Sequence, residues 1–178
     1  MMNFLNFIEQ NGTALHKEIG DHLFRQGDSD SSMYVIKEGM LKAYYVTSEG
    51  KETIKSFLLR GDVIGSMSAA YAQMQNTFSL ICLEPCTLVR FDFKALHSAS
   101  LTDQELSQDV IEILLKFAMK KEQRERDLLC LSAQQRYEKL LETSPELIDK
   151  VTQNDIARYL GVTPVGLSRI KHRVMENT

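Results

Sequence analysis

Arg169, Lys171, His172 and Arg173 crowd the end of the chain, directly after Thr163, Pro164, Val165 and Ser168. These residue types suit nucleic acid. A guanidinium can fork to the O6 and N7 of guanine, and a serine hydroxyl can reach a base or a phosphate. Pro164 and Val165 offer only apolar contact, for instance to a thymine methyl. Lys171, His172 and Arg173 suit phosphates, which position a protein without specifying sequence. The 178-residue chain carries a net charge of −3, so such binding must rest on a local patch. From 156 to 178, Arg158, Arg169, Lys171 and Arg173 face Glu176 alone, and a local basic excess can bind phosphates on an otherwise acidic protein.

These side chains need a scaffold, and the spacing around them predicts a helix-turn-helix over 152–173. Thr152 and Asp155 form a capping-box start, and Ile156, Ala157 and Leu160 make an inner face. Gly161 ends the first helix in a left-handed turn. Thr163 caps the second helix, Pro164 suits its first position, and Leu167 and Ile170 face inward. Ala157 is small where two helices cross. The exposed row is then Pro164, Val165, Ser168, Arg169 and His172, free to meet a major groove.

Upstream, the first hundred residues alternate like β-structure. Strand-like stretches fall at 22–25, 33–36, 41–46, 53–59, 77–83 and 87–93, separated by turn signals such as Gly27-Asp28, Gly61-Asp62 and Glu84-Pro85. This spacing suggests an antiparallel barrel or sandwich. After Leu101 the period lengthens. Leu106, Val110, Ile113, Leu114 and Phe117 form one stripe of a helix of about 25 residues, which suits packing on the β-domain or pairing with a second copy. Ser132 and Gln135 then open a helix ending near Thr143, with Tyr137, Leu140 and Leu141 inward. The expected fold is therefore α+β: a β-domain at 1–101, a connecting and dimerisation helix at 102–131, and a helix-turn-helix domain at 132–178.

This arrangement resembles the Crp/Fnr family of bacterial transcription regulators. The resemblance spans nearly the whole chain. It is carried by Phe24-Arg25-Gln26-Gly27-Asp28, Met33-Tyr34-Val35-Ile36-Lys37-Glu38-Gly39, Gly50-Lys51-Glu52 and Arg60-Gly61-Asp62-Val63-Ile64-Gly65, together with the C-terminal segment. It implies a β-barrel of the cyclic nucleotide-binding, jelly-roll type that senses an effector. It also implies a homodimer joined through the long helix, heads that bind a two-fold double-stranded DNA operator, and RNA polymerase as a further partner.

The departures from the family pattern are specific. Members that bind cyclic AMP hold the ribose with a glutamate; that position is Ser66, between Gly65 and Met67. Where an arginine neutralises the phosphate, this chain reads Gln75-Asn76-Thr77. No Lys or Arg occurs from 61 to 89, and an unpaired buried phosphate is costly. The candidate effector pocket of Gly65, Ser66, Met67, Asn76 and Thr77 is thus expected to take an uncharged small molecule, or none, in place of cyclic AMP. Met67, Tyr71, Met74 and Phe78 can line or fill it. The recognition helix lacks the Arg-Glu pair of well-studied members at its first two positions, while Arg169 matches their later arginine. The sequence reaches Thr178 just past this helix, so a full β-hairpin wing is not expected.

Other chemistries find little support. No nucleophile–base constellation, metal cluster or phosphate-gripping loop is visible, so an enzyme is not expected. Cys82, Cys86 and Cys130 are too few for a disulfide scaffold or an iron–sulfur sensor, although Cys82 and Cys86 flank a turn and their redox state is open. His16, His22, His97 and His172 show no ligand spacing. Arg60-Gly61-Asp62 sits at a strand–turn junction, where an adhesion role has no support. No apolar run approaches the roughly 18 residues of a membrane span, and the N-terminus lacks a secretory pattern, so the cytoplasm is the expected compartment. The competing reading is a ligand-binding signalling module whose helical tail meets a protein partner.

Overall fold

A computed structural model of the chain describes residues 2–176. The chain forms two compact units. One comprises the chain up to Lys51 with Lys55–Phe117; the other comprises Glu52–Ile54 with the chain from Ala118 onward.

The first unit opens with α1 (Phe4–Asn11), followed by β1 (Thr13–Lys17), β2 (His22–Phe24), β3 (Ser32–Glu38), β4 (Leu41–Val46), β5 (Glu52–Leu58) and β6 (Val63–Ile64). A short α2 (Met67–Ala70) precedes β7 (Ser79–Cys82), β8 (Cys86–Asp92) and α3 (Phe93–Ser100). The strands do not close into the barrel that the family resemblance implied; of the two forms their spacing allowed, the sandwich is the one present. They form two four-stranded antiparallel sheets, ordered β1-β8-β3-β6 and β2-β7-β4-β5. Apart from the β4–β5 hairpin, neighbouring strands in each sheet are distant in sequence, as in a double-sheet jelly roll.

Side chains, not backbone pairing, join the sheets. Tyr34, Ile36, Ile64 and Leu88 from one meet Phe24, Leu41, Ala43, Leu58 and Leu80 from the other in one buried cluster. The outer face of β3 and β8 is covered as well. Met33, Val35 and Phe91 pack with Phe7, Ile8, Ala70, Phe93 and Leu96 from the helices. This double burial explains why 33–36 is a continuous apolar run instead of an alternating one. Of these elements, α1, β1, β6 and α3 were not among those expected from the sequence. The strand expected to run to 93 stops at Asp92, whose carboxylate accepts from the Lys94 amide at 2.7 Å and so caps α3.

The long helix is α4 (Gln104–Cys130), with Asp103 at its start accepting from the amides of Glu105 and Leu106. Its expected pairing stripe is largely used within the chain. Leu106 and Val110 are buried in the cluster over β3 and β8, and Phe117 packs against the same cluster. Ile113 is half-buried. Among the five predicted pairing residues only Leu114 is exposed, and it borders an outward apolar row of Ile111, Leu115 and Met119. The physical reason is helical geometry: positions 106, 110 and 113 share one face, and positions 111, 115 and 119 lie on the next.

The second unit adds α5 (Ala133–Thr143), α6 (Pro145–Lys150), α7 (Gln153–Leu160) and α8 (Pro164–Glu176). Its core is Tyr137, Leu140, Leu147, Val151, Ile156, Leu160, Leu167 and Ile170, all buried. The wing expectation concerns chain after Glu176 and lies outside the described residues.

Candidate nucleic-acid interface and effector cassette

The predicted helix-turn-helix is α7 and α8. Thr152 caps α7 by accepting from the Asp155 amide at 3.1 Å. Gly161 lies at φ +71°, the left-handed region, and the Val162 amide donates to the Ala157 carbonyl at 2.9 Å. With the Gly161 amide on the Arg158 carbonyl, this closes the helix as a Schellman turn. Thr163 caps α8, its hydroxyl accepting from the Gly166 amide at 3.1 Å. Ala157 is completely buried, as the close crossing of α7 and α8 requires.

Burying Leu167 and Ile170 turns the opposite face of α8 outward. Pro164, Val165, Ser168, Arg169, His172 and Arg173 are exposed together with Thr163. Lys171 is half-buried, and its ammonium donates to Gln153 Oε1 at 3.0 Å, tying the middle of α8 to the first residue of α7. His172 stands 3.3 Å from Glu176, one turn along. Arg173 Nε donates to the Arg169 carbonyl at 3.4 Å. A shallow hollow beside α8 is lined by Pro164, Leu167, Ser168, Arg169, Lys171, His172 and two residues not expected from the sequence, Gln153 and Met175. Gln153 had one available signal, its place directly after the cap residue.

Two arginines were missed altogether. Arg124 on α4 stacks on the Tyr159 ring, 3.9 Å from its centroid, and donates to the Tyr159 carbonyl. Arg136 on α5 donates to the carbonyls of Leu131 at 2.6 Å and Leu160 at 2.9 Å. Burial lowers the basicity of the Arg124 guanidinium somewhat. In sequence both look like solvated charges on amphipathic helices.

In the first unit, the positions expected to form an effector cassette include two buried neutral polar side chains. Ser66 and Asn76 are buried, and Ser66 Oγ, Asn76 Oδ1 and Asn76 Nδ2 have no hydrogen-bond partner among the described residues. Buried groups of this kind are costly unless a water or a ligand meets them. Asn76 is held by its backbone, its amide on the Asp28 carbonyl at 2.7 Å and its carbonyl taking the Gly27 amide at 2.8 Å. Gly65 is packed so tightly that a Cβ would lie 2.3 Å from Met33 Sδ and 2.9 Å from the Ser32 carbonyl oxygen. Met67 is half-buried against the core, whereas Thr77 is exposed. Phe78 fills the core between the sheets, and Tyr71 and Met74 are more than half exposed, so none of the three lines a soft pocket. The cassette residues Gly65, Ser66, Met67, Asn76 and Thr77 are all uncharged. They supply no cation of their own, and Lys55 from β5, 4.9 Å from the Phe78 ring centroid, is engaged with that ring.

Residues 15–103 match the cyclic nucleotide-binding domain family. The chain is 31% identical over 180 residues to the anaerobic regulatory protein of Haemophilus influenzae, covering 94% of this chain and 68% of that protein. It is 28% identical to electron transport regulator A of Shewanella oneidensis, covering 89% and 67%. In fold it is similar to FixK2 from Bradyrhizobium japonicum (TM-score 0.75, 17% identity, 93% of this chain and 85% of that one). CooA from Carboxydothermus hydrogenoformans is similar to the same degree (TM-score 0.75, 14% identity, 98% and 85%). Sheet order, capped helix-turn-helix and relatives agree: the chain belongs to the Crp/Fnr family of transcription regulators.

Proposed function

We propose that the chain is a sequence-specific DNA-binding regulator that acts as a homodimer. The observation that carries this reading is the outward face of α8, where Val165, Ser168 and Arg169 are exposed because Leu167 and Ile170 are buried behind them. Arg169 reads a guanine, Val165 meets a thymine methyl, and Lys171, His172 and Arg173 hold phosphates. Pairing runs through the outward row of α4, Ile111, Leu114, Leu115 and Met119. Two heads so paired match half-sites about 34 Å apart.

The effector reading follows from Ser66 and Asn76. A neutral hydroxyl and a neutral amide, buried and unpaired, suit an uncharged hydrogen-bonding molecule and not cyclic AMP. Occupancy shifts the population of α4 pairings and with it the spacing of the heads. The test is selection from random duplexes by the purified protein. The expected product is a two-fold palindrome, bound with a steep salt dependence and without regard to added cyclic AMP. No enrichment at any salt concentration, with α4-mediated capture of a protein instead, contradicts it.

A further inference from the structure

Helix α7 ends with four carbonyls that its own backbone bonds do not reach. The Schellman turn satisfies two, those of Ala157 and Arg158. The remaining two, Tyr159 and Leu160, receive Arg124 and Arg136 respectively. The arginines come from different helices. Arg136 also donates to Leu131 at 2.6 Å and to Asp127 at 3.4 Å, both main-chain carbonyls at the C-terminal end of α4. One guanidinium therefore bridges two helix C-termini, where cations are favoured by the aligned peptide dipoles. Beside it, Lys139 Nζ lies 2.8 Å from both carboxylate oxygens of Asp127, holding α5 to α4.

We propose that Arg124 and Arg136 are positioning residues that lock the reading head onto the end of α4, so that the last turns of α4 and the helix-turn-helix move as one lever. The inference about rigidity stands on the carbonyl geometry alone; its consequence for operator choice rests on the DNA-binding reading above. Lysine cannot replace either residue fully. It carries the charge but not the planar fork that spans two carbonyls or stacks on an aromatic ring.

The test has two arms. In the full-length chain with Cys130→Ser, spin labels at Leu128→Cys and Met175→Cys, diluted with unlabelled protein, report the distance between α4 and α8 within one copy. The expected result is one narrow distance with both arginines present and a broad or displaced distribution in Arg124→Gln/Arg136→Gln. Arg136→Lys, which retains the charge and is the milder change, should broaden it partially. Unchanged widths in both variants overturn the lock. The second arm measures binding to the selected operator with its half-sites moved apart in single base-pair steps. The native arginines should give a sharp spacing optimum, and Arg136→Lys a flattened one. A retained optimum in a broadened variant overturns the lever role, whereas failure of the native protein to enrich any duplex fails the DNA reading and leaves the distance arm to decide the lock.

Discussion

Asp127 on α4 and Lys139 on α5 are joined by two contacts of 2.8 Å, one to each carboxylate oxygen. Burial pushes the Asp127 carboxyl up, but hydrogen bonds from Lys139 and Gln123 outweigh it and the group is held below its ordinary value. A carboxyl depressed in the folded state stabilises above its unfolded pKa, and that stability is lost as pH falls through the folded pKa. Asp127→Asn should therefore lower the melting temperature at neutral pH, by an amount corresponding to about 1 kcal/mol for a partly exposed pair. The difference from the native chain should vanish below the ordinary carboxylate range. A deficit that persists unchanged in acid contradicts the assignment.

Gly161 has open space around the position of a Cβ, so its φ of +71° is the whole constraint. Gly161→Ala should cost roughly 1–2 kcal/mol, and Gly161→Asn less, because asparagine tolerates this region better. Urea unfolding of the two variants separates conformational strain from a clash, which would penalise asparagine more.

The two faces of α4 should respond oppositely. Leu106→Ala removes a fully buried side chain and should cost about 2–5 kcal/mol of stability. Ile111→Glu with Leu115→Glu alters only exposed positions and should leave the fold intact while shifting the mass measured by sedimentation from dimer to monomer. A native chain that sediments as a monomer removes the pairing surface from the account.

Thiol chemistry should divide the cysteines. Cys82 and Cys86 are buried and Cys130 is exposed. Burial, with Cys86 beside it, pushes the Cys82 thiol up to about 12, and burial raises Cys86 as well. At neutral pH a disulfide reagent should titrate one thiol quickly in the folded chain and three in denaturant. Fast reaction of all three under native conditions would show that the β7–β8 turn opens readily.

The readable parts of the molecule were those with a local cause. Gly161 and Pro164 act through their own backbone torsions and Thr152 through a hydroxyl that caps the turn beside it, so both ends of α7 and the start of α8 were legible from spacing, whereas α8 runs on to Glu176, past the expected 173. The β4 segment 41–46 was likewise legible from its β-branched and aromatic content. What stayed hidden depends on distant neighbours. Sheet order follows from which apolar faces meet, not from turn spacing, so a sandwich and a closed barrel look alike in sequence. Leu106 and Val110 bear the same pattern whether they face a second copy or their own β-domain. Arg124 and Arg136 show their role only when the C-terminus of α7 arrives beside them.

Arg169 is the exposed α8 side chain best suited to read a base. On the palindrome selected by the native chain, fluorescence anisotropy should show Arg169→Ala weakened by about tenfold or more, as expected for loss of roughly 1–3 kcal/mol of guanine recognition. The variant should also lose its preference for the guanine at one position in each half-site, and the native affinity should be indifferent to cyclic AMP. Binding by Arg169→Ala that equals the native chain in strength and in base preference would contradict the proposal that α8 reads DNA.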